Sequence, residues 1–229
     1  MVKMLKIVVF YTITFPLAGY GIGGIVGLAR LSRFLKLVGM ENFPKQSGRI
    51  VLVSNHPSMK ETFILPGLFF RHYALRPKYG PWVMAGANLW RSLWFPLMCV
   101  AWGRVISVNR KPKQKKRHSD KIKSAFEPAA KVLEEGGNIF FFPEGGRTFR
   151  GVGEGETYLY SAKGRKIRPL KRGVAFLASQ PGVTLVPVWV EWSTRTITVG
   201  EAQNFTDVPR KEIIARTQKA LLELADKVA

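Results

Sequence analysis

Ile50-Val-Leu-Val-Ser-Asn-His-Pro-Ser-Met-Lys-Glu-Thr62 is the stretch from which the fold is read. Its first four residues form an apolar run rich in β-branched side chains, the mark of a buried strand. The run stops at Ser54-Asn55, which puts His56 in the loop leaving the strand and Glu61 in the first turn of the helix that follows. An imidazole titrates near neutral pH, and a carboxylate five positions on can hold its ring; together they are the minimum needed to activate a hydroxyl. The chain has three histidines, so His56 has few competitors. A second reading fits the same residues. Ser58-Met-Lys-Glu61 is a capping box, in which serine and glutamate satisfy free amides at a helix N-terminus. On that reading Glu61 serves the helix and His56 is an ordinary loop residue. Spacing alone does not separate the two.

At 229 residues the chain is long enough for one domain, or one domain with a membrane segment. Lys and Arg number 36 against 15 Asp and Glu, a formal charge of +21, which calls for an anionic partner: nucleic acid or phospholipid headgroups. Hydrophobic content of 46%, with six Trp and fifteen Phe, favours the membrane surface. The basic residues fall in separate blocks with no helix-turn-helix or aromatic-basic RNA signature, so no nucleic-acid partner is expected. The single cysteine, Cys99, excludes an internal disulfide and a thiolate zinc cluster. No His-Glu-x-x-His spacing occurs either, and no metal is expected.

Ile7 to Ala29 carries no charged residue. As a helix it would extend about 34 Å at roughly 1.5 Å per residue, enough to cross a bilayer. Pro16 and glycines at 19, 21, 23, 24 and 27 punctuate it, so a broken or re-entrant pair fits as well as a span. Lys3 and Lys6 precede it and Arg30, Arg33 and Lys36 follow it, which leaves the positive-inside rule without a direction. A basic start and an apolar stretch also begin a signal peptide, but no convincing small-residue cleavage site comes before Arg30. Leu28, Leu31, Phe34, Leu35 and Val38 share a helical face opposite Arg30, Arg33 and Lys36, the pattern of an amphipathic helix lying in the interface. Residues 1–40 are thus expected to anchor the protein to a membrane, and residues 41–229 to form the main domain.

Further strands are expected at 105–108, 138–142, 184–192 and 195–199. Helices are expected from Pro128 to Glu135, over 173–180, and after Pro209, where Ile213, Ile214, Thr217, Leu221, Leu224 and Val228 form a stripe. Lys111 to Lys123 reads as a solvated basic loop. The aromatic-rich stretch 78–102 could line a groove for an acyl chain or serve as plain core. Strands alternating with helices give the fold class as α/β, with a mainly parallel central sheet flanked by helices. In such sheets sites gather where strands end at their carboxyl side. The loop after Phe142, Pro143-Glu-Gly-Gly-Arg147, offers a carboxylate, open backbone amides and a guanidinium suited to phosphate.

Four blocks, in order, resemble the glycerolipid acyltransferase family, typified by bacterial 1-acyl-sn-glycerol-3-phosphate acyltransferases. Ser54-Asn-His-Pro-Ser58 resembles the first block, whose pattern is His, four residues, Asp. Gly103-Arg-Val-Ile-Ser-Val-Asn-Arg110 resembles the second, and Phe142-Pro-Glu-Gly-Gly-Arg-Thr148 the third, usually Phe-Pro-Glu-Gly-Thr-Arg-Ser. Leu185-Val-Pro-Val188 resembles the fourth, preceded by the basic-Gly step Lys171-Arg-Gly173. Two positions depart from the pattern: the acid is Glu61 rather than Asp, and position 146 is Gly rather than Thr.

The resemblance implies an O-acyltransferase in which His56 takes the proton of a lysophospholipid hydroxyl as that oxygen attacks an acyl thioester. Glu61 would orient the ring. Arg110 and Arg147 would hold the acceptor's phosphate, Glu144 its glycerol, and Lys171 would be a further phosphate ligand. Amides of Asn55 to Ser58, or of the Gly145-Gly146 turn, would face the oxyanion. The acceptor implied is 1-acyl-sn-glycerol-3-phosphate, giving phosphatidic acid, with a lyso-ornithine lipid or another lysophospholipid as the alternative. Coenzyme A or acyl carrier protein would carry the acyl group as co-substrate, with no other cofactor. The implied setting is an anionic phospholipid membrane, of bacterial inner-membrane type, with the active site on its cytoplasmic side.

Overall fold

Apolar runs bounded by turn residues become strands and amphipathic runs become helices in the computed structural model, which describes residues 20–21, 23–46, 48–86, 104–108 and 118–228. In chain order these are α1 (Gly23–Leu31), β1 (Lys36–Val38), β2 (Ile50–Ser54), α2 (Lys60–Ile64), a 3-10 turn over Leu65–Phe69, α3 (Phe70–Tyr73), β3 (Pro81–Gly86) and β4 (Val105–Val108). Then follow α4 (His118–Glu134), β5 (Asn138–Phe141), the small strands β6 (Leu159–Tyr160) and β7 (Lys166–Ile167), and α5 (Gly173–Ala178). The series closes with β8 (Thr184–Glu191), β9 (Thr196–Val199), β10 (Gln203–Asn204) and α6 (Arg210–Lys227).

The central sheet has the order β1-β9-β8-β2-β5-β3-β4, with β10 also beside β8. Every pair is parallel except β8 with β9 and with β10. β2 is buried along its whole length, as a strand covered on both faces must be. Alternation divides its residues between two cores. Val51 and Val53 join α4, α5 and α6 on one face. Ile50 and Leu52 join α1, the 3-10 turn and α3 on the other.

This division positions the site. The chain leaves β2 across the α1/α3 face and leaves β5 across the face that α5 covers. β2 and β5 are neighbours, so their carboxyl ends open a crevice where the connections part to opposite sides. The loops starting at Asn55 and Phe142 are the two lips of that crevice.

Two expectations fail. The amphipathic helix expected as far as Val38 ends at Leu31. Arg33 takes a left-handed φ of 58°, and Lys36–Val38 pairs with Thr196–Thr198 as the edge strand β1. Leu35 is buried there; sheet pairing overrides the local periodicity. The helix expected to start at Pro128 begins ten residues earlier, and Pro128 sits in its interior. The expected basic loop is therefore helical from His118. Charge hid the stripe Ile122, Phe126, Ala129 and Leu133, which packs on the core, and that packing carries the helix through the missing amide of Pro128. Most of the apolar segment 7–29, Cys99, Trp90, Trp94, Phe95 and Trp102 lie outside the described residues. Among the described residues no helix is long and apolar enough to cross a membrane.

Candidate active site

Where β2 ends, the side chain of Asn55 continues its ladder. Its Nδ2 donates to the carbonyl of Val190 (2.9 Å) and its Oδ1 accepts from the amide of Val190 (2.8 Å). This two-point clamp on β8 fixes the backbone just before the chain turns to His56, and both partners are buried, so neither bond competes with water.

The ring of His56 lies flat on Phe142, centroids 3.8 Å apart and planes 8° from parallel. Its Nδ1 is 2.7 Å from Glu61 Oε1. Glu61 is fully buried. The same Oε1 accepts from the amide of Ser58 (2.7 Å), while Oε2 accepts from the Ser58 hydroxyl (2.7 Å) and from the indole N–H of Trp192 (3.0 Å). The two readings of Ser58-Met-Lys-Glu61 are therefore not alternatives. The carboxylate reaches back to the Ser58 amide, which is one half of a capping box, and holds the imidazole at the same time; the Ser58 hydroxyl accepts from the amide of Lys60 rather than from that of Glu61.

Burial pushes the Glu61 carboxyl up, but the bonds from His56, Ser58 and Trp192 together outweigh it and hold its pKa below the ordinary glutamate value. An ionised carboxylate can only accept, so Nδ1 carries a hydrogen, and in the neutral ring Nε2 then keeps its lone pair. Nε2 has no partner among the described residues, and the side chain is 12% exposed, so that lone pair is open to an incoming hydroxyl.

The second lip is built on Glu144, also fully buried. Oε1 accepts from the amide of His56 (2.9 Å) and the hydroxyl of Thr148 (2.7 Å), and Oε2 accepts from the amide of Arg168 (2.8 Å). Burial raises its pKa despite those donors. The amide of Thr148 in turn donates to the carbonyl of His56 (2.8 Å). Glu144 thus grips the backbone of the residue whose ring Glu61 grips.

The remaining expected residues are distributed as follows. Gly145 turns the loop at φ 70°, a conformation that suits glycine. Its amide donates to the carbonyl of Phe142, and those of His56 and Ser58 are taken by the two glutamates. The amides of Gly146 and Arg147 have no acceptor among the described residues. Arg147 is exposed with its guanidinium unpaired there, whereas Lys171 is ion-paired with Glu156. Arg110 lies outside the described residues. Sequence reasoning missed the work of Asn55, Phe142, Thr148 and Trp192. Three of these stand within the quoted blocks, but Trp192 reaches Glu61 across 131 positions and leaves no local signal. No group of His, Cys, Asp and Glu suited to a metal occurs among the described residues.

Comparison with known proteins shows the family. The profile of the family described as Acyltransferase matches residues 34–191, well over half of the chain. The chain is also similar to the 1-acyl-sn-glycerol-3-phosphate acyltransferase BAT2, chloroplastic, of Brassica napus, with 27% identity over 150 residues. The matched part is 66% of this chain and 35% of that protein, so the chain spans about a third of its relative's length.

Proposed function

The chain belongs to the acyltransferase family, and on that premise we propose that it is an O-acyltransferase that moves a fatty acyl group from an acyl thioester to the free hydroxyl of a lysophospholipid. The observation that carries this reading is the His56–Glu61 pair: a ring anchored at Nδ1 by an ionised, buried carboxylate, with Nε2 open at the mouth of a crevice.

In the proposed reaction the hydroxyl oxygen of the lyso-lipid attacks the thioester carbonyl while Nε2 of His56 takes its proton. Glu61 stabilises the imidazolium that forms, the logic of the serine-protease triad with the substrate's own hydroxyl as nucleophile. The attack forms a tetrahedral oxyanion. When the intermediate collapses, the C–S bond breaks and the departing thiolate recovers the proton from His56, leaving the base neutral. General base catalysis of this kind contributes about 10²–10⁴-fold, and holding both substrates in line supplies the rest.

The proposed acceptor is 1-acyl-sn-glycerol-3-phosphate. The unpaired guanidinium of Arg147 on the lip opposite His56 supports it, as does the activity named for the Brassica napus relative. Glu144 then acts by fixing the loops that carry His56 and Arg147. The lipid would be met at a membrane surface: Ile25, Leu28, Leu31 and Phe34 are exposed along and just after α1, next to Arg30 and Arg33. Such an apolar strip with flanking cations suits an anionic bilayer.

His56→Ala should abolish transfer from either coenzyme A or acyl-carrier-protein thioesters to a panel of lyso-lipids, while the melting curve stays close to that of the wild type. Turnover retained in that variant would reject the assignment. A panel preference for lyso-ornithine lipid over lysophosphatidate would keep the chemistry and change the acceptor.

A further inference from the structure

The two glycines of the loop after β5 are glycine for different reasons. Gly145 needs its left-handed backbone. Gly146 has no positive φ, so its conformation is open to any residue. What a side chain there would meet is Arg168: a Cβ on Gly146 would fall inside contact distance of the guanidinium Nη1 and 3.7 Å from Cζ. The guanidinium occupies the space that a Cβ would fill.

Arg168 is held there by its backbone, whose amide donates to Glu144. Its side chain makes no hydrogen bond or ion pair among the described residues, and Nε is buried with no acceptor. The residue as a whole is half-buried, but a buried N–H with no acceptor is uncommon unless something outside the chain supplies one. The nearby carboxylate of Glu156 feels the charge of Arg168 but is ion-paired with Lys171. Gly146, which the Arg168 guanidinium approaches, is followed in the chain by Arg147 with its unpaired guanidinium, and the amides of both residues have no acceptor among the described residues. Planar guanidinium forks and loop amides with no acceptor of their own are the equipment for a tetrahedral dianion.

We propose that Arg168 is a second phosphate-binding residue of the acceptor site, and that glycine at position 146 is what admits its guanidinium to the loop. This rests on the reading of the acceptor as a phosphorylated lyso-lipid and adds a specificity determinant to it. Buried Glu144 links this arm to the base, since it holds the amides of both His56 and Arg168. A Cβ at position 146 would displace only the far end of a flexible side chain, so Gly146→Thr should fold and lose the grip.

The test is a double-mutant cycle on the full chain with two acceptors, 1-acyl-sn-glycerol-3-phosphate and the neutral 1-monoacylglycerol, together with calorimetric binding of soluble glycerol 3-phosphate. Arg168→Ala should raise KM for the phosphorylated acceptor about 10- to 100-fold, the worth of a charge-assisted bond, with kcat within about threefold and the neutral acceptor unaffected. Arg168→Lys should recover part of the loss. Gly146→Thr should match Arg168→Ala, and the double variant should be no worse than either. Unchanged KM in Arg168→Ala, or two losses that multiply, would overturn the proposal. If the wild type does not acylate lysophosphatidate yet binds glycerol 3-phosphate in an Arg168-dependent way, the acceptor reading fails and the anion site stands. Binding that ignores Arg168 overturns the site whatever the acceptor.

Discussion

Glu61 and Glu144 follow neighbouring parallel strands, are both fully buried, and both hold His56, one by its ring and the other by its backbone amide. Their carboxyls nevertheless shift in opposite directions. Glu61 faces a ring nitrogen that becomes cationic during the reaction, and bonds from His56, Ser58 and Trp192 overcome its burial. Glu144 faces two backbone amides and one hydroxyl, and burial prevails. Equal burial therefore does not fix the state of a carboxyl; the donors that surround it do. The first lip is built for charge that changes during a turnover, and the second for geometry that must not change.

The sharpest way to break that comparison is to neutralise each carboxyl in turn. Glu61→Gln removes the charge opposite the imidazolium and should lower kcat about 10²–10⁴-fold. Glu144→Gln leaves the base and its partner in place and should lower kcat by about tenfold or less. Equal losses in steady-state assays would show that Glu144 takes part in the chemistry, or that Glu61 only caps its helix.

Stability should fall in both variants. Every group bonded to Glu144 is a donor to it, and so is every group bonded to Glu61, so in either case a glutamine amide would turn an N–H toward another donor. A loss of about 1–3 kcal/mol is expected for each from urea unfolding. The pH windows differ. Glu61 has a folded pKa below the ordinary 4.5, so it contributes stability that is present above pH 4.5 and lost as pH falls through the folded value. Glu144 has a folded pKa above 4.5. There the folded state binds more protons than the unfolded, and stability falls as pH rises from 4.5 through the folded value. Melting temperatures across this range should show Glu61→Gln flattening the limb below 4.5 and Glu144→Gln removing the slope above it. Both effects on one side of 4.5 would contradict the assignment.

The two lips were also unequally legible in sequence. β2, His56 and Glu61 form one contiguous signal, and the loop from Pro143 to Arg147 another, because an apolar run followed by polar turn residues marks a strand end locally. The α/β class followed from the same alternation. What stayed hidden was long-range or masked by charge. Asn55 clamping Val190, Trp192 on Glu61 and Arg168 over Gly146 each join residues far apart in the chain. The stripe of α4 lay under lysines, and β1 exists only because β9 offers it an edge. The capping-box pattern is a local signal that half holds: Glu61 takes the Ser58 amide, and one carboxylate with two oxygens has room for that bond and for the imidazole.

The smallest expected effect belongs to Trp192→Phe, which keeps the aromatic ring and deletes the longest of the bonds to Glu61, at 3.0 Å. Ser58 still supplies an amide to Oε1 and a hydroxyl to Oε2, so the carboxylate keeps its aim at Nδ1. Turnover should fall by about threefold or less, and stability by about 0.5–1.5 kcal/mol, the net worth of one hydrogen bond. With one donor fewer, burial weighs more heavily on Glu61 and its folded pKa should rise toward 4.5, narrowing the acid window measured for the wild type. A drop in kcat comparable to that of Glu61→Gln, with the pH window unchanged, would mean that the indole sets the carboxylate's direction. The first lip would then depend on the end of β8 as firmly as the second depends on Glu144, and the contrast between them would dissolve.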